Sequence, residues 1–218
     1  MRPTEDKHRH QGLRKKLVDQ LRSNGITNEQ VLAAIGQVPR HFFLDSAFDD
    51  IAYENRAFPI GEGQTISQPY TVAYQTQLLE VKRFDKVLEV GTGSAYQAVV
   101  LALLGVQVYT IERQRKLFDL TKQFKWLQSQ PRIKFFYGDG FEGLPTFAPF
   151  DKILITAAAP HIPPKLVAQL KPGGVMVLPV GEGEMQQMCR VTHEEKGNLR
   201  IERFEQFSFV PMLTGKES

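Results

Sequence analysis

Val87-Leu88-Glu89-Val90-Gly91-Thr92-Gly93-Ser94-Ala95 decides the fold. An apolar strand runs into a turn bearing two glycines, and a helical run from Tyr96 to Leu104 follows. After the first strand of an α/β sheet, such a turn brings backbone N–H groups close to a bound cofactor, because glycine lacks the Cβ that would block the approach. The dinucleotide pattern G-x-G-x-x-G needs a third glycine where this chain has Tyr96. The turn therefore points to a nucleoside cofactor without a pyrophosphate, such as S-adenosylmethionine, and away from a nicotinamide oxidoreductase.

Two acids extend this reading. Val106-Gln107-Val108-Tyr109-Thr110-Ile111 reads as the next strand and ends at Glu112. An acid about 20 residues beyond the glycine turn can accept hydrogen bonds from both ribose hydroxyls. Lys134-Phe135-Phe136-Tyr137 then leads into Gly138-Asp139-Gly140. Taken alone this triplet is a good turn. At a third successive strand tip, Asp139 can accept from an adenine amino group while the Gly140 N–H donates to a ring nitrogen.

From Lys86 onward, strands near 86–90, 106–111, 133–137, 151–156 and 174–180 alternate with helices near 95–104, 114–129 and 163–170. That alternation predicts an α/β fold with a doubly wound, mostly parallel sheet, Rossmann-like. Lys171-Pro172-Gly173-Gly174 reads as a turn into the fifth strand. Gln187–Thr192 and Leu199–Ser208, joined through Glu195-Lys196-Gly197-Asn198, predict an antiparallel C-terminal edge. Gly91, Glu112, Asp139 and Thr156 all fall at the carboxyl ends of strands, where open sheets of this kind bind ligands.

Before the sheet, Leu13, Leu17 and Leu21 predict an amphipathic helix ended by Gly25. Thr27 with Gln30 resembles a capping box for a second helix that Pro39 stops. Residues 40–58 show no clear period, and Pro59 to Tyr70 reads as a glycine-punctuated loop before a helix at 71–79. The length of 218 residues fits a single domain, with 1–80 a helical N-terminal extension and active-site loop and 81–218 a cofactor-binding sheet core.

The net charge is a mild +3, and its basic residues are scattered except for the run from Lys7 to Lys16. A solvated, frayed helix start explains that run better than a nucleic-acid surface. The single Cys189 excludes an internal disulfide and suits a reducing, cytoplasmic setting. No apolar run approaches the roughly 18 residues of a membrane span. His8, His10, His41 and His193 lack metal-ligand spacing with any cysteine, so no metal is expected, and His161 reads as a surface-loop residue. With no long apolar stripe left over, a monomer is expected.

Several segments together resemble the protein-L-isoaspartate O-methyltransferase family from about residue 13 to 213. They are Gly61-Glu62-Gly63-Gln64-Thr65-Ile66-Ser67-Gln68-Pro69, the Val87–Ser94 turn, Gly138-Asp139-Gly140, Ala148-Pro149-Phe150-Asp151, Thr156-Ala157-Ala158-Ala159-Pro160, Leu170-Lys171-Pro172-Gly173-Gly174 and Pro179-Val180-Gly181. The first and the Thr-Ala-Ala-Ala-Pro segment are the specific ones; the glycine turn is shared across S-adenosylmethionine methyltransferases. The resemblance implies methyl transfer from S-adenosylmethionine to the α-carboxyl of L-isoaspartyl residues in damaged proteins, with repair through a succinimide. It implies Ser67 as the active-site serine. It also implies a cofactor set of Glu89, Gly91, Thr92, Gly93, Ser94, Glu112, Asp139 and Gly140, and a substrate set of Ile66, Ser67, Gln68, Thr156, Val210 and Pro211. One departure stands out: the family has glycine where this chain has Ala95. Alanine is tolerated there at a helical φ, whereas a positive φ would weaken cofactor binding.

The chemistry is consistent with that reading. An acceptor carboxylate has a pKa of about 4 and is ionised at neutral pH, so no strong general base is needed. Ser67 would then orient the carboxylate by a hydrogen bond; otherwise it is a loop or cap serine for the helix after Pro69. A segment near Phe209-Val210-Pro211 can offer backbone groups to an extended peptide or simply pack a final edge strand. The glycine-bearing loop at Gly61 and Gly63 is a candidate cover. Rival readings are a methyltransferase acting on RNA or a small molecule, and a binding module that has kept the fold without catalysis.

Overall fold

The computed structural model describes residues 5–194 and 197–217. Residues Glu195 and Lys196 of the expected C-terminal turn lie outside the described residues. The sheet has seven strands, and their order follows from the chain's path. β3 (Lys86–Val90) is central; the chain runs outward through β4 (Gln107–Glu112) to β5 (Ile133–Tyr137). It then returns to the other side of β3 as β6 (Phe150–Ile155), followed by β7 (Leu170–Val180), β8 (Gln186–His193) and β9 (Leu199–Phe207). β5, β4, β3, β6 and β7 are parallel, and β8 and β9 form the antiparallel edge. The order reverses between β3 and β6, so the crevice for a ligand opens at their carboxyl ends.

Alternation along the strands builds two cores. Val87, Val108, Leu154 and Val177 face the side covered by the N-terminal helices. Leu88, Val90, Ile153, Ile155 and Met176 face the other, with Leu166 from α7 (Pro164–Val167). α1 (His8–Ser23), α2 (Glu29–Gln37), α3 (Pro69–Leu79) and α4 (Tyr96–Leu103) contribute Leu17, Leu21, Ile35, Leu79 and Val99 to the first core.

Five details differ from the sequence-based expectations. Residues 171–174, expected as a turn into the fifth strand, lie inside β7, which begins at Leu170. Asn28, not Thr27, caps α2: its side chain accepts from the Gln30 and Val31 N–H groups, while Thr27 donates to Gln77. The stretch before α3 is a small hairpin, β1 (Phe58–Gly61) against β2 (Gln64–Ile66), too short to show alternation. The helix at 114–129 is broken into α5 (Arg115–Gln123) and α6 (Lys125–Gln128), because Phe124 takes extended backbone and packs its ring near Phe43 and Trp126. The basic N-terminal run is not simply solvated. His10 and Arg14 are buried, and Arg14 donates to the Gly36 carbonyl, Tyr53 and Asp6.

Candidate functional site

The glycine turn leaves β3 under tight constraint. Gly91 has φ +98°, and a Cβ there would stand 2.5 Å from Thr156 Oγ1. The Thr156 hydroxyl donates to the Gly91 carbonyl at 2.8 Å, so its proton is committed to the turn. The turn's own donors are committed as well. Gly91 and Thr92 donate to the Ile111 carbonyl, and Gly93 donates to Glu112 Oε2 at 2.8 Å. The expected row of free N–H groups is therefore absent at 91–93, which makes the turn a poor pyrophosphate cradle. What it offers a ligand is close approach without side chains.

Glu112 ends β4 and joins that constraint: its second oxygen accepts from the Gln114 N–H at 2.8 Å. Burial pushes its carboxyl above the usual range, and the backbone donors oppose that push. Each carboxylate oxygen has a further lone pair, which leaves room for ribose hydroxyls. Glu112 lines a cleft together with Gly91, Gly93, Gly140 and Thr156. Gly140 is required by packing, since a Cβ would meet Val90 Cγ1 at 2.6 Å. Glycines at the points of closest approach, a partly committed ribose-type acid and the absence of a phosphate cradle all fit S-adenosylmethionine.

Four residues expected at the cofactor, Glu89, Thr92, Ser94 and Asp139, do not line this cleft. Glu89 is fully buried beneath the turn. Thr92 donates to Thr110 (2.7 Å), which donates to Glu89 Oε2 (2.5 Å), so Glu89 acts on the turn through two hydroxyls. Burial pushes its carboxyl up to about 8, with the Thr110 hydroxyl opposing and Glu112 reinforcing. Asp139 sits beside Gly140, where Phe141 N–H (2.8 Å) and Gly215 N–H (2.7 Å) each take one of its oxygens. Ser94 accepts from the Tyr96 N–H at 3.3 Å and shares a neighbouring cleft with Thr92. Ala95, at the entrance to α4, has φ +70° and no exposure; the positive-φ alternative is the one the chain adopts.

A second cleft, about 340 Å³, is lined by Ile66, Ser67 and the glycine turn, and a third, about 890 Å³, by Ser67, Gln68, Phe209 and Val210. Thr65 and Thr156 border all three. Ser67 therefore stands between the second cleft, beside the glycine turn, and the third, beside Phe209 and Val210. It does not cap α3: the N-cap is Gln68, without a side-chain cap. Phe209–Pro211 lies past the end of β9 and is not an edge strand. Phe209 N–H donates to Gln186, and the Val210 carbonyl accepts from Ala158 N–H, so these two backbone groups are spent internally. Pro211 and Met212 line the first cleft. Thr65, Arg113 and Met212 were not read as site residues from sequence; only the fold brings them there.

Away from the clefts, Asp6, His10 and His41 lie close enough to hold a cation among the described residues. Their atoms are engaged otherwise: Asp6 by Arg14, His10 by Asp49 at 3.1 Å, and His41 by the Tyr53 hydroxyl at 2.7 Å. Among the described residues no helix is long and apolar enough to cross a membrane.

The sequence profile described as protein-L-isoaspartate(D-aspartate) O-methyltransferase matches residues 12–218. A protein-L-isoaspartate O-methyltransferase of Flavobacterium johnsoniae is 53% identical over 212 residues, covering 97% of this chain and 99% of the relative. One of Cytophaga hutchinsonii is 53% identical over 214 residues, covering 98% and 96%. A solved protein-L-isoaspartate O-methyltransferase superposes with a TM-score of 0.82 at 25% identity, over 91% of this chain and 65% of that one. A Plasmodium falciparum structure described as the same enzyme in complex with S-adenosyl-L-homocysteine shares the fold, with a TM-score of 0.80 at 24% identity over 96% and 99% of the two chains. The chain belongs to the protein-L-isoaspartate(D-aspartate) O-methyltransferase family.

Proposed function

We propose that this chain transfers the methyl group of S-adenosylmethionine to the α-carboxyl of L-isoaspartyl residues in damaged proteins and peptides. The observation that carries this reading is the position of Ser67, shared by the cleft that borders the glycine turn and the wider one that borders Gln68, Phe209 and Val210. No histidine, lysine or cysteine lines these clefts among the described residues. A carboxylate acceptor suits such a site, because it arrives ionised and needs no base.

When bound, S-adenosylmethionine supplies an electrophilic methyl group on a sulfonium. Gly91 and Gly93 would let it approach the backbone, Glu112 would accept from the ribose hydroxyls, and Gly140, with Asp139 bracing the turn behind it, would border the adenine. Ser67 donates a hydrogen bond to the acceptor carboxylate and fixes its approach, while Ile66, Gln68 and Val210 shape the acceptor cleft. The rate then comes from alignment and from exclusion of water. The product ester is attacked by the following backbone nitrogen, methanol leaves, and the succinimide hydrolyses partly to normal aspartate without the enzyme. The chain acts as a monomer in a reducing, cytoplasmic setting on this reading.

Peptide repair tests the function. An isoaspartyl peptide incubated with the protein and S-adenosylmethionine converts progressively to its aspartyl form, seen by chromatography. An isoaspartyl peptide that persists unchanged contradicts the reading.

A further inference from the structure

Arg40 has no exposure and no carboxylate partner among the described residues. Its hydrogen bonds go to backbone carbonyls, Nε to Ala52 at 3.0 Å, Nη2 to Arg56 at 3.4 Å and Nη2 to Ser67 at 2.9 Å, while Nη1 is buried without a hydrogen-bond partner among the described residues. The guanidinium lies 4.8 Å from the ring centroid of Tyr96, the first residue of α4. A buried guanidinium is costly unless its donors are used, so a chain that keeps one here gains fixed geometry from it. The geometry fixed is that of residues 52–56 against Ser67.

The same segment reaches the other side of the Ser67 turn. α3 begins with Pro69, which has no N–H, so Tyr70 N–H is the first orphan donor of the helix. The Asn55 side chain accepts from it at 2.9 Å. Arg40 thus braces the loop that carries Asn55 and the carbonyl of Ser67, and Asn55 braces the helix start three residues later. The two contacts close a ring around Ser67, Gln68 and Pro69.

We propose that Arg40 and Asn55 are positioning residues for methyl transfer, holding Ser67 at the mouth of the acceptor cleft from the side away from the substrate. This rests on the role given to Ser67 above. Neither residue lines any of the three clefts. Their effect is on the alignment of Ser67 and not on cofactor affinity.

The test is a double-mutant cycle with Ser67→Ala, read as kcat/KM for an isoaspartyl peptide, with the dissociation constant for S-adenosylhomocysteine and the melting temperature measured alongside. Asn55→Ala and Arg40→Lys each lower kcat/KM about tenfold, since small misplacements of catalytic groups cost up to about a hundredfold. The dissociation constant stays within about twofold in both. In the Ser67→Ala background the same changes cost less than about twofold, because the group they position is gone. An equal drop in both backgrounds, or unchanged kcat/KM in Asn55→Ala, overturns the proposal. Arg40→Lys removes part of a buried network; if that variant does not fold, the half-buried Asn55 cycle decides alone. A wild-type protein inactive on the isoaspartyl peptide refutes the substrate reading and this inference with it, whereas an active one with an additive cycle refutes only the inference.

Discussion

The Gly215 N–H donates to Asp139 Oδ2 at 2.7 Å, tying the C-terminal tail to the acid expected at the adenine. Arg113 strengthens the strap by donating to the Gly215 carbonyl at 3.1 Å and pairing with Glu217 at 3.1 Å. Met212 and Leu213, just upstream, line the cleft that holds Glu112 and Gly140. The tail thereby forms one wall of that cleft. Gly215 has φ +74°, which proline cannot adopt, and proline also lacks the donor. Gly215→Pro is expected to weaken S-adenosylhomocysteine binding about tenfold by calorimetry, or about 1.4 kcal/mol. Unchanged or tighter binding would show that the tail contributes no wall.

Ala95 holds a left-handed conformation that costs an alanine roughly 1–2 kcal/mol. Ala95→Gly relieves that strain at the entrance to α4 and should raise folding stability by up to about 1 kcal/mol in urea titrations. Ala95→Val adds a β-branched side chain at positive φ in a closed space and should lower stability by about 2–4 kcal/mol in urea titrations. Equal stability of the valine variant would show that the turn relaxes freely.

Glu89 sets a pH dependence. Its folded carboxyl is pushed up to about 8 from an ordinary 4.5. The folded state therefore keeps a proton that the unfolded chain has released, and stability falls as pH rises between those values. Its contribution is intact below about pH 4.5 and lost as pH passes through about 8. Glu112, also raised by burial, adds in the same direction. Glu89→Gln retains an acceptor for the Thr110 hydroxyl and cannot ionise. Without cofactor, it should match wild type near pH 5 and exceed it near pH 8.5, by at most about 5 kcal/mol. Parallel curves for the two proteins would contradict the assignment.

Ser67→Ala removes the donor proposed for the acceptor carboxylate. Turnover on an isoaspartyl peptide should drop on the order of a hundredfold, as when one oriented donor is lost. Cofactor affinity, measured by calorimetry, should change less than about twofold. A turnover equal to wild type would remove Ser67 from the mechanism.

How much of this was legible follows from the range of each signal. β3, its glycine turn and β4 are local patterns, and the doubly wound, mostly parallel sheet with its antiparallel edge followed from the alternation of strands and helices, whereas the strand order came from the structure. Gly91 and Gly140 were readable as glycines, but the contacts that require them, with Thr156 and Val90, span separate strands. The hairpin at 58–66 was missed because strands of four and three residues carry no period. Phe124 breaks a helix whose amphipathic pattern continues: its backbone is extended and its ring packs against Phe43 and Trp126, contacts that no local pattern shows. Arg40, Asn55, Arg113 and Gly215 act through contacts distant in sequence, and no local motif marks them.

Methyl transfer from labelled S-adenosylmethionine to two synthetic peptides, identical except for L-isoaspartate or L-aspartate at one position, tests the central claim most directly. The account predicts base-labile label on the isoaspartyl peptide alone. Label on neither peptide, or equal label on both, would contradict it.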